Sequence, residues 1–108
     1  MAEEQKWRSS FDNAVEVVRR GDFDEVKAVM EVLDFVFEQT GDPNHWMYYH
    51  PRLRGDPHFR YPRNLYRPHG SRRGSGRISR HDQSQAKQII EALRGVLSSS
   101  QESGEGYQ

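Results

Sequence analysis

Apolar residues recur at helical spacing in two segments near the start of the chain. The first segment ends in the basic pair Arg19 and Arg20, followed by Gly21, as a helix C-terminus should. In the second, Asp22 can cap the helix and Glu25, three residues on, completes a capping box. The pattern predicts helix one over about residues 4–20 and helix two over about 23–40. The apolar faces consist of Trp7, Phe11, Ala14, Val15 and Val18 in helix one, and Val26, Val29, Met30, Leu33, Val36 and Phe37 in helix two.

A strand interpretation competes with the helical one, because valine is frequent around residues 15–17 and 32–36. The caps fall in register with the helical period, so we favour the helices. Only Gly21 and Asp22 separate them, which predicts an antiparallel helical hairpin.

A third amphipathic segment predicts a helix over about residues 84–97, with Ser79, Asp82 and Ser84 as possible caps. Residues 98–108 lack an apolar period and are predicted to form a disordered tail. We therefore expect an all-α fold, a small helical bundle in a single domain over residues 1–97. The apolar positions of helix three are Ala86, Ile89, Ile90, Leu93, Val96 and Leu97.

The apolar stripe of helix two is wider than one neighbouring helix would cover, because Val32 and Phe35 lie beside it. This excess of apolar surface favours self-association, and we predict a homodimer.

Composition limits the class of protein. Val, Leu, Ile and Phe together number 21 of 108 residues, so the core must be small. There is no cysteine, which excludes disulfides and thiolate metal sites. No apolar run approaches the roughly 18 residues of a membrane span, and the N-terminus is acidic rather than signal-like. We expect a soluble intracellular protein, cytoplasmic or nuclear, with no membrane partner.

The formal net charge of zero conceals three segments of different sign. Residues 1–42 carry a net charge of −6, residues 43–81 one of +8, and residues 82–108 one of −2. The net charge of zero results from opposite charges that cancel, so it does not exclude an anionic partner.

The basic segment, residues 43–81, has an unusual composition. It contains all five histidines, nine arginines, no lysine and six aromatic residues. Four prolines forbid a long helix through it, although residues 44–49 are predicted to form one or two helical turns. We interpret the rest, over 43–81, as a long irregular insert between helices two and three.

Flat rings next to arginines on a stiff backbone suit a nucleic acid, since rings stack on bases and guanidinium groups pair with phosphates. Unstacked bases in RNA loops favour RNA over DNA. The leading hypothesis is a small accessory protein that binds RNA through this segment. The residues predicted to contact nucleic acid are Arg52, Arg54, Arg60, Arg63, Arg67, Arg72, Arg73, Arg77, Trp46, Phe59, Tyr61 and Tyr66.

Three alternatives remain open. The arginines can instead pair with the acidic helices and neutralise them within the fold. They can anchor a protein-interaction or inhibitor module, such as a viral or phage accessory protein or an assembly subunit, on an acidic partner. They can also bind small anionic nucleotides.

The sequence gives little support for catalysis or metal binding. The histidines stand at spacings unlike those of a metal site, and no cysteine is available. A nuclease would pair a histidine with Asp56 or Asp82 as general base, but no nucleophile elbow or phosphate-binding glycine loop is present. We expect no enzyme activity, no metal and no cofactor.

Overall fold

The described part of the chain folds into three helices and a three-stranded antiparallel sheet. A computed structural model describes residues 2–68 and 76–106, and the side chains of residues 9–68 and 76–98. The fold is mixed α/β, so the predicted all-α bundle is wrong. In chain order the elements are α1 (Ala2–Arg20), α2 (Phe23–Val32), β1 (Val36–Gln39), β2 (His45–Tyr49), a 3-10 turn (Pro51–Leu53), β3 (Arg63–Tyr66) and α3 (Arg80–Gly106).

The junction between α1 and α2 is the one that the sequence predicts. Gly21 has a positive φ of 80°, which a residue with a side chain adopts only at a cost, and its N–H donates to the carbonyl of Val17. The Asp22 carboxylate caps α2 by accepting from the backbone N–H of Glu25 at 3.1 Å. The predicted helix stop and N-cap are therefore confirmed.

Helix α2 ends eight residues before the predicted position. Its last residue is Val32, and Asp34 takes a left-handed conformation with φ of 73° that turns the chain out of the helix. The residues that follow, Phe35 to Phe37, are aromatic and β-branched and suit a strand. As a strand, these residues pair their backbone with that of β2, which they could not do as part of a longer helix.

The sheet is a meander in which β2 lies between β1 and β3. Tyr48 is opposite Phe37 on β1 and Arg63 on β3, which fixes the register on both sides. The predicted helical turns over residues 44–49 are wrong, because this segment is the central strand. Its alternating side chains point to opposite faces, and each face has a different neighbour.

The helices cover one face of the sheet. Tyr48 and Leu65 on that face are fully buried, and Phe37 and Trp46 pack against the same core. Helix α1 packs against both α2 and α3, and α3 also contacts β3 and the 3-10 turn. The core is one continuous cluster between the helices and this side of the sheet.

Helix α3 begins where the Ser79 hydroxyl accepts from the backbone N–H of Asp82 at 3.1 Å. It extends past residue 97, where the sequence places the start of a tail, and ends at Gly106. Its buried face includes Ile89, Ile90 and Leu93, as the apolar period predicts. Among the described residues no helix is long and apolar enough to cross a membrane.

Val32 and Phe35, on which the homodimer prediction rests, lie in different environments. Phe35 is buried within the chain, with its ring edge-on to those of Tyr48 and His50. Val32 is 64% exposed. The apolar surface left for a second copy is therefore smaller than the sequence indicates, and the homodimer stays a prediction.

Candidate nucleic-acid interface

The face of the sheet away from the helices is the candidate site, and we call it the open face. Alternate residues of β2 lie on it, namely His45, Met47 and Tyr49. In the strand register Tyr66 is opposite His45, and Asn64 is opposite Met47. Because paired residues of antiparallel strands share a face, these five side chains form one surface.

His45 is held firmly at the start of β2. Its ring stacks on the Tyr66 ring, with centroids 4.3 Å apart and planes 8° from parallel. Its Nε2 lies 2.7 Å from Asn64 Oδ1, and its Nδ1 lies 3.2 Å from the hydroxyl of Thr40. Since the Asn64 oxygen can only accept, Nε2 is the donor in this contact. An imidazole held in this way can stack on a base.

At the other end of β2, the Tyr49 ring is paired with a cation. The 3-10 turn after β2 brings the Arg54 guanidinium to 5.3 Å from the Tyr49 ring centroid. Arg52 and Arg54 are both exposed. A guanidinium that stacks on a ring through its face still presents its N–H groups, in the plane of the group, to an anion.

Arg60 and Tyr61 form a third pair, just before β3. The Arg60 guanidinium lies 4.8 Å from the Tyr61 ring centroid, and its Nη2 donates to the Tyr61 hydroxyl at 2.7 Å. Both residues are exposed, Tyr61 to 61%. The pairing of rings with cations that the sequence suggests is therefore present in the fold.

Two other predicted contact residues face the interior. The Arg63 guanidinium packs over Phe59, 4.7 Å from the ring centroid, and both side chains are half-buried. The Arg67 guanidinium lies over Phe23 and pairs with the Asp24 carboxylate at 3.2 Å. These contacts hold β3 and the chain after it against α2 and the turn region.

Trp46 is turned away from the open face. It lies on the helix-covered side, half-buried, with the Lys27 ammonium nitrogen 4.7 Å from its ring. Of the four rings predicted to stack on bases, only Tyr61 and Tyr66 are exposed large side chains. Arg77 is exposed but lines a cleft between α1 and α3, and Arg72 and Arg73 lie outside the described residues.

The acidic helices leave most of the basic segment unneutralised. Seven of the nine arginines in residues 43–81 are described, and within this group Arg67 alone forms an ion pair. Arg52, Arg54 and Arg60 have no acidic partner among the described residues and are exposed. The positive charge at this surface therefore faces solvent.

Four members of the open face are absent from the residues predicted to contact nucleic acid: His45, Met47, Tyr49 and Asn64. The signal that could have found the first three is the alternation of β2, in which they follow a period of two. The contribution of Asn64 depends on strand pairing across 19 residues, which no local pattern contains.

The carboxylates proposed as partners for a catalytic histidine have other roles. Asp56 accepts from the backbone N–H groups of His58 and Phe59 in a turn. Asp82 is buried and accepts from the backbone N–H of Tyr66 at 3.0 Å, which joins α3 to β3. Over the described part of the chain, no three metal-binding side chains cluster.

Comparison of the chain with protein-family models, with curated proteins and with solved structures finds no match. The site's geometry and chemistry are therefore the basis for the proposal that follows.

Proposed function

We propose that the protein binds single-stranded RNA across the open face of its sheet. The observation that carries this proposal is the exposed Arg54 guanidinium beside the Tyr49 ring of that face, with no acidic partner among the described residues. Recognition of a single strand needs two components, namely cations that are free to pair with phosphates and flat rings on which bases stack.

The spacing of the rings favours splayed bases. His45 and Tyr49 are four residues apart in β2, a separation of roughly 13 Å, which is about four times the roughly 3.4 Å between stacked bases of a helical strand. A base stacked on the His45–Tyr66 pair and another on Tyr49 must therefore be separated from each other, as in a loop or an unpaired strand. A duplex cannot present its bases in this way.

The polar groups of the face favour RNA over DNA. His45, Asn64 and Thr40 form a hydrogen-bonded row beside the ring stack. A ribose 2′-hydroxyl can donate to or accept from such a row, and deoxyribose lacks that group. Arg52, Arg54 and Arg60 would pair with the phosphates on either side.

The test is fluorescence anisotropy with a labelled single-stranded oligouridine at several salt concentrations. We expect affinity to fall with log salt, with a slope of about −0.7 for each phosphate contact. Tyr66→Ala should weaken binding by about tenfold, because a stacked base contributes on the order of 1–3 kcal/mol. Arg19→Gln, which removes an exposed cation paired with Glu16 on α1, is the control and should leave affinity unchanged.

A salt-independent signal, or equal affinities of the Tyr66 and Arg19 variants, would contradict the proposal. DNA of the same sequence and a matched RNA duplex complete the comparison. Both should bind more weakly than the single-stranded RNA.

A further inference from the structure

A cleft of about 430 Å³ between α1 and α3 is separate from the open face. Its walls come from two helical stripes. Val15, Val18 and Arg19 lie at i, i+3 and i+4 on α1, and Arg80 and Lys87 lie seven residues apart on one face of α3. The floor is apolar and the rim is basic.

The charged groups of three rim residues form no ion pair within the described part of the chain. Arg77, Arg80 and Lys87 are exposed, and none of them has an acidic partner among the described residues. Arg19 is paired with Glu16 at 2.7 Å and so contributes less free charge. Arg80 begins α3, where the helix dipole disfavours a cation, so its charge does not serve the stability of that helix.

The floor distinguishes between two kinds of anionic partner. Val15 is half-buried and packs at the margin of the core, whereas Val18 beneath it is 3% exposed and offers almost no surface to a partner. The cleft still exposes more apolar than polar surface, so a partner that brings only phosphates would leave its floor uncovered. An amphipathic helix with carboxylates beside its apolar stripe can cover the floor and pair with the rim at the same time.

We propose that this cleft docks an acidic amphipathic helix of a partner protein. The partner's apolar side chains at i, i+3, i+4 and i+7 would lie over Val15 and the aliphatic parts of the rim side chains, and its flanking carboxylates would meet Arg77, Arg80 and Lys87. This site uses none of the residues of the open face. The protein can therefore hold RNA and the partner helix on different surfaces.

The probe is a fluorescein-labelled peptide with leucine at the i, i+3, i+4 and i+7 positions and glutamate at most others. A matched peptide carries lysine in place of glutamate. The full chain should bind the glutamate peptide, with a Kd on the order of 10⁻⁶ M, and the lysine peptide at least about tenfold more weakly.

Three variants locate the binding. Arg80→Glu combined with Lys87→Glu reverses the rim charge and should weaken binding of the glutamate peptide by about tenfold or more. Arg20→Glu changes an exposed cation outside the cleft and should alter affinity by less than about twofold. Val15→Ser should also weaken binding, because it removes part of the apolar floor. Thermal unfolding of each variant identifies any loss caused by misfolding.

Equal binding of the two peptides, or of the wild type and the double variant, would overturn the proposal. The labelled oligouridine gives the other decisive result. If the double variant loses RNA affinity, and wild-type protein does not bind the peptide, the cleft is an RNA surface and the docking proposal is wrong.

Discussion

Tyr48 and Tyr49 are neighbours in β2, yet they lie on opposite faces of the sheet and in opposite environments. Tyr48 is fully buried beneath the helices, and burial raises the pKa of its hydroxyl. Tyr49 is half-buried on the open face, with the Arg54 guanidinium stacked on its ring. Identical side chains one residue apart thus serve the core and the candidate interface, because a strand alternates its side chains.

His45 and His50 repeat this comparison. His45 lies on the open face with side-chain partners at both ring nitrogens. His50 is 4% exposed, its Nε2 donates to the carbonyl of Leu33 at 2.8 Å, and its Nδ1 accepts from the backbone N–H of Arg52 at 3.1 Å. Both nitrogens of His50 are used by its neutral form, so this ring joins the end of β2 to the end of α2. On the face covered by the helices, side chains are thus held by burial and by backbone hydrogen bonds. On the open face, side-chain functional groups remain accessible.

The largest expected difference between the faces is in stability. Leu65→Ala, on the covered face, should lower the free energy of unfolding by about 2–5 kcal/mol, because it leaves a cavity where a fully buried side chain packs. Asn64→Ala, one residue earlier on the open face, should lower it by about 1 kcal/mol, since only the hydrogen bond to His45 is lost. Urea titration of both variants measures the difference, and similar losses would refute the assignment of faces.

A smaller difference should appear on mild acidification. Burial lowers the pKa of His50 below its ordinary value near 6.5, so the unfolded chain takes up this proton at a higher pH than the folded one. The stabilisation from the neutral ring is complete above the unfolded pKa and is lost as pH falls through the folded pKa. The slope for one proton is at most about 1.4 kcal/mol per pH unit.

Urea titrations between about pH 7 and 5 measure this dependence. His50→Gln should flatten the stability profile relative to the wild type over this range. Met47→Leu, on the open face, removes no titratable group and should keep the wild-type slope. If the two variants give the same profile, the buried ring is not its source.

The smallest expected effect is a gain in stability. The Tyr48 hydroxyl is buried and has no hydrogen-bond partner among the described residues, and the same holds for Nη1 of Arg63, which is opposite it in the register. Tyr48→Phe removes one of these groups and should raise the free energy of unfolding by about 1 kcal/mol. Tyr49→Phe on the open face should change it by less than about 0.5 kcal/mol. A loss of stability in Tyr48→Phe would show that the hydroxyl has a partner in solution.

Local signals predict the helical part of the fold well. The stop at Gly21, the cap at Asp22 and the apolar stripe over Ile89 to Leu93 depend on residues within a few positions of one another. The strands were missed because the apolar residues after Val32 fit either a helix or a strand, and pairing between distant segments decided between them. Short strands have little local signal of their own.

The candidate site divides in the same way. Composition by itself determined that one segment of the chain concentrates arginine and aromatic residues, and that its charge is hidden in a total of zero. Only the tertiary structure decided which of these groups remain accessible. Strand register turned Trp46 towards the helices and Tyr66 to the open face, and packing paired Arg67 with Asp24 while Arg54 remained exposed. The reason is physical: residue type sets what a side chain can bind, and the pairing of distant backbone segments sets which side of the molecule it faces.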